Sequence, residues 1–224
     1  MRCILHIGTE KTGTTALQTA LSSQREYLSN NGVCYAKTPG DLNCRSLAAA
    51  FTSLGNRDDY KLKYLLTEPE QFAHWRQKLL FEIRDEITTE RNRCHTYILS
   101  SEHFSSKVIQ NADVTDLAEY LRTEFEDIQV VCYLRRQDLM ATSRINEGLR
   151  AGFPQRWFPN VSDNGTLPSL YDYQTLIKRW SVAFGESAIK LRIFERSKLT
   201  GGSVLADFSE TQLGVPLQQA DHPM

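Results

Sequence analysis

The chain opens with the apolar run Cys3-Ile4-Leu5-His6-Ile7, which passes directly into Gly8-Thr9-Glu10-Lys11-Thr12-Gly13-Thr14-Thr15. No other stretch restricts the fold as much. Residues 3–7 have the apolar, β-branched character of a buried strand, and from about Thr14 to Ser29 the apolar residues recur at helical spacing. A strand, a glycine-bearing turn and a helix N-terminus in immediate succession aim backbone N–H groups and a positive dipole end at one point. That is an arrangement for an anion.

The same alternation continues along the chain. Asn30-Asn31-Gly32 ends the first helix, because Asn and Gly tolerate the left-handed backbone of a C-cap. The pattern then predicts a short strand at 33–35, a weaker helix at 42–54, and a long helix opened by Glu68-Pro69 with Phe72, Trp75, Leu79, Ile83 and Ile87 on one face. A strand at 96–99 and a helix carrying Val114, Leu117, Leu121 and Phe125 follow, then a strand at 130–134 and a helix at 138–150. Residues 151–170, rich in Gly, Pro, Asn and aromatics, read as one long loop, of a length that is usually functional or disordered. A helix at 171–184, a strand at 189–194 and an amphipathic helix at 203–213 complete the order. Alternating strands and helices predict an α/β fold with a mainly parallel central sheet flanked by helices.

With 224 residues, 41% of them hydrophobic, the chain suits a single domain over residues 1–224. Lys and Arg number 26 against 27 Asp and Glu, a net charge of −1 that argues against a nucleic-acid partner. No apolar run is long enough to span a bilayer, and the first residues lack the pattern of a signal peptide, so no integral membrane segment is expected. Five cysteines without a C-x-x-C pair suit a reducing, cytoplasmic setting. In the absence of a secretory signal, the sequons at Asn160 and Asn164 carry little weight.

Gly8 and Gly13 have the G-x-x-x-x-G spacing of a nucleotide-triphosphate loop, yet Thr14 stands where that loop needs its lysine. The lysine lies inside the loop, at Lys11. A second cluster follows the strand Val130-Val131-Cys132-Tyr133-Leu134, which ends in Arg135-Arg136, with Ser143 eight residues after Arg135. Both clusters stand at strand C-termini, the edge at which parallel sheets bind ligands.

Together these two clusters resemble the sulfotransferases that use 3′-phosphoadenosine 5′-phosphosulfate (PAPS). Lys11-Thr12-Gly13-Thr14-Thr15 is similar to their 5′-phosphosulfate loop, and Arg135 with Ser143 to their 3′-phosphate pair. Arg136 stands open as the alternative to Arg135, because the Asp/Asn-Pro common after that arginine is replaced by Arg136-Gln137. Tyr173 resembles an aromatic near the adenine, and Phe194-Glu195 a strand ending of the family. Ala16 replaces a tryptophan of many cytosolic members, and no Arg-Lys-Gly motif occurs near the C-terminus. Those departures point to the bacterial or carbohydrate-type branch, and the ending Ala220-Asp221-His222-Pro223-Met224 is expected to lack a C-terminal piece.

The resemblance implies sulfuryl transfer from PAPS, without a metal, to a hydroxyl or amine of a small-molecule, lipid or glycan acceptor, leaving adenosine 3′,5′-bisphosphate. Lys11 would act at the bridging oxygen, with Thr12, Gly13, Thr14 and Thr15 around the 5′-phosphate. Ser100-Ser101-Glu102-His103 ends a strand lying between the two clusters in sequence, and it offers Glu102 as general base with His103 as the alternative. Two other readings stay open: a P-loop nucleotide kinase or NTPase with its lysine displaced, and a non-catalytic nucleotide-binding protein of the same fold.

Overall fold

The computed structural model describes residues 1–56, 58–152 and 167–218. Five strands, β1 (Arg2–His6), β2 (Val33–Tyr35), β3 (Thr96–Ser100), β4 (Asp127–Leu134) and β5 (Ile189–Ile193), form one sheet in the order β2-β3-β1-β4-β5. Every pairing in it is parallel. The helices are α1 (Thr14–Ser23), α2 (Arg25–Asn30), α3 (Arg45–Ala50), α4 (Asp59–Lys63), α5 (Pro69–Glu90), α6 (His103–Lys107), α7 (Asn111–Glu124), α8 (Gln137–Arg150), α9 (Tyr173–Phe184) and α10 (Val204–Phe208). The α/β class with a parallel sheet between helices is as the alternation predicts.

Successive side chains on a strand point to opposite faces, and β1 shows why both faces are covered. Cys3, Leu5 and Ile7 join α3, α5, α7 and α9 in one core, while Ile4 joins α1, α2 and α10 in the other. Leu79, Ile83 and Ile87 of α5 are buried, as are Val114, Leu117 and Leu121 of α7, so the helical faces read from spacing are core faces. All five cysteines are free and buried. No helix among the described residues is long and apolar enough to cross a membrane.

Three expectations about elements need correction. The helix at 14–29 breaks at Gln24, whose amide and side chain both donate to Ala20 O, and α2 restarts at Arg25. The bend lets the Arg25 guanidinium reach Tyr35 O and Ala36 O and lie over the Tyr35 ring, a tertiary demand that periodicity does not carry. The 42–54 helix shrinks to Arg45–Ala50. The 203–213 helix is α-helical only to Phe208 and continues as a wider turn over Ser209–Leu213, closed by Gly214. Most of the long loop predicted at 151–170, with both sequons, lies outside the described residues.

The sheet order positions the site. From β1 the chain returns to β2 on one side, whereas from β4 it goes on to β5 on the other. The C-terminal ends of β1 and β4 are thus adjacent strands from which the chain departs in opposite directions, and such a switch point opens a crevice.

Candidate active site

The loop after β1 is an extension of the sheet before it becomes a turn. Ile7 N–H donates to Val131 O at 3.0 Å, Thr9 N–H to Tyr133 O at 2.9 Å, and Tyr133 N–H to Gly8 O at 2.6 Å, which clamps the loop to β4. Two glycines are required here on different grounds. Gly8, with φ of 92°, would carry a Cβ 3.0 Å from the Glu102 Cα, so its bareness lets the β1 loop touch the end of β3. Gly13, with φ of 76°, occupies the N-cap of α1, and a Cβ on it would lie 2.9 Å from Val204 Cγ1. Among the described residues no side chain caps α1. Its first-turn N–H groups, orphaned in any helix, remain to meet an anion.

These elements frame a cleft of about 490 Å³ lined by Lys11, Gly13, Thr14, Thr15, Glu102, His103, Arg135 and Ser143, together with Glu10, Glu147 and Phe194. All the site residues named from the sequence therefore meet in one cavity, except Thr12, Tyr173 and the alternative arginine, Arg136. Thr12 is buried and its hydroxyl donates to Thr9 O at 2.6 Å, tying the loop to itself. Tyr173, half-buried, donates its hydroxyl to Arg135 O at 2.7 Å and so steadies the backbone of a cleft residue.

The two arginines after β4 separate cleanly. Arg135 lines the cleft, donates Nη1–H to Lys11 O at 2.9 Å, and carries its guanidinium 5.7 Å from the Phe194 ring centroid. Arg136 turns outward, 70% exposed, and closes a two-point contact on Asp138 at 3.2 and 2.7 Å. Of the pair, Arg135 is the one placed to meet a ligand in the cleft.

Glu10, Arg144 and Glu147 were not singled out by the sequence reading. Lys11, itself in the left-handed region at φ of 61°, forms an ion pair with Glu147 of α8, and Arg144 of α8 pairs with Glu10. Two ion pairs thus cross from the phosphate-type loop to α8. Ser143 and Glu147 are four apart on one helix, a spacing that sets them on the same face; that was the one available sequence signal for Glu147. The Arg144–Glu10 pair spans 134 residues and leaves no local pattern.

Glu102 sits where a cap for α6 would sit, but its side chain caps nothing. Its carboxylate instead accepts a hydrogen bond from Gln18 Nε2 at 2.9 Å. His103 Nε2 stands 3.8 Å from the other carboxylate oxygen. Burial pulls the His103 imidazole below its usual range, against the upward pull of Glu102, so it is neutral at pH 7. His103 Nδ1 is buried with no hydrogen-bond partner among the described residues. The cleft therefore holds Lys11, Arg135 and the first-turn N–H groups of α1 on the β1 and β4 side, with Lys11 paired to Glu147, and two proton acceptors at the end of β3.

No family model matches the chain. Over 119 residues it is 30% identical to an uncharacterized protein of Archaeoglobus fulgidus, a match covering 52% of this chain and 31% of that one. The chain thus spans about a third of the length of this relative. Among solved structures, it is similar to a sulfotransferase from Alicyclobacillus acidocaldarius, with a TM-score of 0.49 and 15% identity over 99% of this chain and 85% of the other.

Proposed function

We propose that the chain transfers a sulfuryl group from PAPS to a hydroxyl or amine of a carbohydrate, lipid or small-molecule acceptor. The observation that carries this reading is the meeting of Lys11 and the uncapped α1 N-terminus with Arg135 and Ser143 in a single cleft, opposite Glu102. Two separate anion-binding groups suit a donor with two separate phosphates. A nucleotide-triphosphate loop would instead need a lysine at Thr14.

In this reading the α1 amides and the Thr14 and Thr15 hydroxyls hold the 5′-phosphate, and the Arg135 guanidinium and Ser143 hydroxyl hold the 3′-phosphate. Lys11 exchanges the Glu147 carboxylate for the oxygen bridging phosphorus and sulfur. The acceptor oxygen attacks sulfur in line, and a new S–O bond forms as the S–O bond to the bridging oxygen breaks. The electron pair of the broken bond stays on the 5′-phosphate of adenosine 3′,5′-bisphosphate, where Lys11 and the amides stabilise the charge that develops. Glu102 takes the acceptor proton, and the neutral His103 beside it is the alternative acceptor. General-base assistance is worth ~10²–10⁴-fold.

The test is transfer from labelled PAPS to a panel of sugars, lipids and small alcohols, run beside calorimetry with adenosine 3′,5′-bisphosphate and with ATP plus Mg²⁺. Labelled product together with preference for the bisphosphate is expected, and Glu102→Gln should keep that binding while losing most turnover. Binding of ATP plus Mg²⁺ in preference to the bisphosphate would overturn the reading in favour of a kinase. Binding of the bisphosphate without turnover on any acceptor would favour a nucleotide-binding protein.

A further inference from the structure

Behind the cleft wall lies a buried polar chain that the proposed reaction leaves unused. Register pairs His6 of β1 with Ser100 of β3, and both side chains are fully buried. His6 Nδ1 is 2.8 Å from Ser100 Oγ. Gln18, also buried, places its amide nitrogen 3.4 Å from Ser100 Oγ and 2.9 Å from the Glu102 carboxylate.

Donor and acceptor chemistry sets the direction of the two Gln18 bonds. A carboxamide nitrogen only donates, so Gln18 gives one N–H to Glu102 and the other to Ser100. The Ser100 hydroxyl accepts from Gln18 and makes a further hydrogen bond with His6 Nδ1, in which the His6 tautomer sets the donor. His6 Nε2 has no hydrogen-bond partner among the described residues. The ring packs steeply inclined against Tyr133 and Phe208, with centroids 5.9 and 5.8 Å away and interplanar angles of 77° and 68°. Burial lowers the His6 pKa to about 4, so the imidazole stays neutral.

We propose that Gln18 is a positioning residue which, anchored through Ser100 to the buried His6, holds the Glu102 carboxylate toward the acceptor. This role rests on the sulfuryl-transfer reading for its chemistry, though not for its geometry. Gln18 lies one helical turn after Thr14, so the helix that presents N–H groups to the donor also aims the carboxylate. Without that N–H, Glu102 would be free to turn toward the cations of its own cleft, Lys11 and Arg135, or toward His103, and away from Glu10 and Glu147.

The experiment is a double-mutant cycle of Gln18→Met and Glu102→Gln. Both are near-isosteric changes, and folding is checked by thermal melting. Gln18→Met is expected to lower kcat by on the order of 10–10²-fold, since small misplacements of a reacting group cost that much. Binding of adenosine 3′,5′-bisphosphate should stay within twofold of wild type. In the Glu102→Gln background the same substitution should cost nothing further, because the group it positions is already gone. Equal losses in both backgrounds, or lost bisphosphate binding, would make Gln18 structural and overturn the proposal.

A readout independent of turnover keeps this test apart from that of the proposed function. Nitrogen NMR of the unliganded protein at pH 7 should show His6 held as a single neutral tautomer, and Gln18 carboxamide protons that exchange slowly in wild type and quickly in Glu102→Ala. If both hold while no acceptor is sulfated, the hydrogen-bonded chain stands and the sulfuryl-transfer reading falls. A His6 ring that exchanges between tautomers, or Gln18 protons indifferent to Glu102, would overturn the chain whatever the activity.

Discussion

Removing the Arg135 side chain separates the bracing role seen in the structure from the 3′-phosphate contact proposed for the same guanidinium. It donates to Lys11 O and so braces the loop, and it lines the cavity together with Ser143. The brace acts on any ligand of the loop, so its loss weakens adenosine 5′-phosphate and adenosine 3′,5′-bisphosphate alike. A contact to the 3′-phosphate acts on the bisphosphate alone. A hydrogen bond to a charged partner contributes about 1.5–3 kcal/mol, which at about 1.4 kcal/mol per tenfold is a factor of about 10 to 140. In Arg135→Ala the ratio of the two dissociation constants should therefore shift by that factor, measured by calorimetry at fixed ionic strength, because the brace cancels in the ratio. Arg135→Lys should fall between, keeping a charge but not a planar fork. Arg136→Ala should change neither constant, since Arg136 points outward to Asp138. An unchanged ratio in Arg135→Ala, with both ligands weakened equally, would show that Arg135 is only a brace and refute its assignment to the 3′-phosphate.

Three further outcomes are expected. Lys11→Ala should abolish transfer while leaving the melting temperature nearly unchanged, because the side chain contributes an ion pair to a well-exposed Glu147 and no core packing; substantial turnover in the folded variant would remove Lys11 from the mechanism. Gly13→Ala should destabilise the fold by about 1–2 kcal/mol in denaturant titrations, since the new Cβ meets both a left-handed backbone and Val204, and an unchanged midpoint would contradict that geometry. Asp207, buried, is pushed up by desolvation but pulled down further by hydrogen bonds from Arg192, the Thr200 amide and Tyr133, so its carboxyl titrates below the usual range. A depressed folded value contributes stability above the unfolded pKa of about 3.9 that is lost as pH falls through the folded value. The gap in melting temperature between wild type and Asp207→Asn should accordingly be full near neutrality and shrink in acid; a gap independent of pH would show that the charge on Asp207 is not what counts.

Much of the molecule is determined by information that is local in the chain. The apolar run into Gly8, the threonine-rich turn and the helical spacing after Thr14 specify a strand, an anion-type loop and a helix, because backbone geometry is set by near neighbours and by residues that accept positive φ. The alternation of elements sufficed for the parallel α/β class, and the placing of Lys11, Arg135 and Glu102 at strand C-termini sufficed to bring them to one edge. What only the tertiary structure decided are relations between side chains far apart in sequence. The Arg135 bond to Lys11 O spans 124 residues, and the Gln18 bond to Glu102 spans 84. Which of Arg135 and Arg136 turns inward depends on Phe194 and on the Lys11 carbonyl, neither of which leaves a pattern near residue 135. The bend at Gln24 and the hydroxyl of Tyr173 on Arg135 O have the same origin. A buried polar group must find a partner wherever the packed chain supplies one, and periodicity records which face a residue occupies but not which donor or acceptor waits across the core.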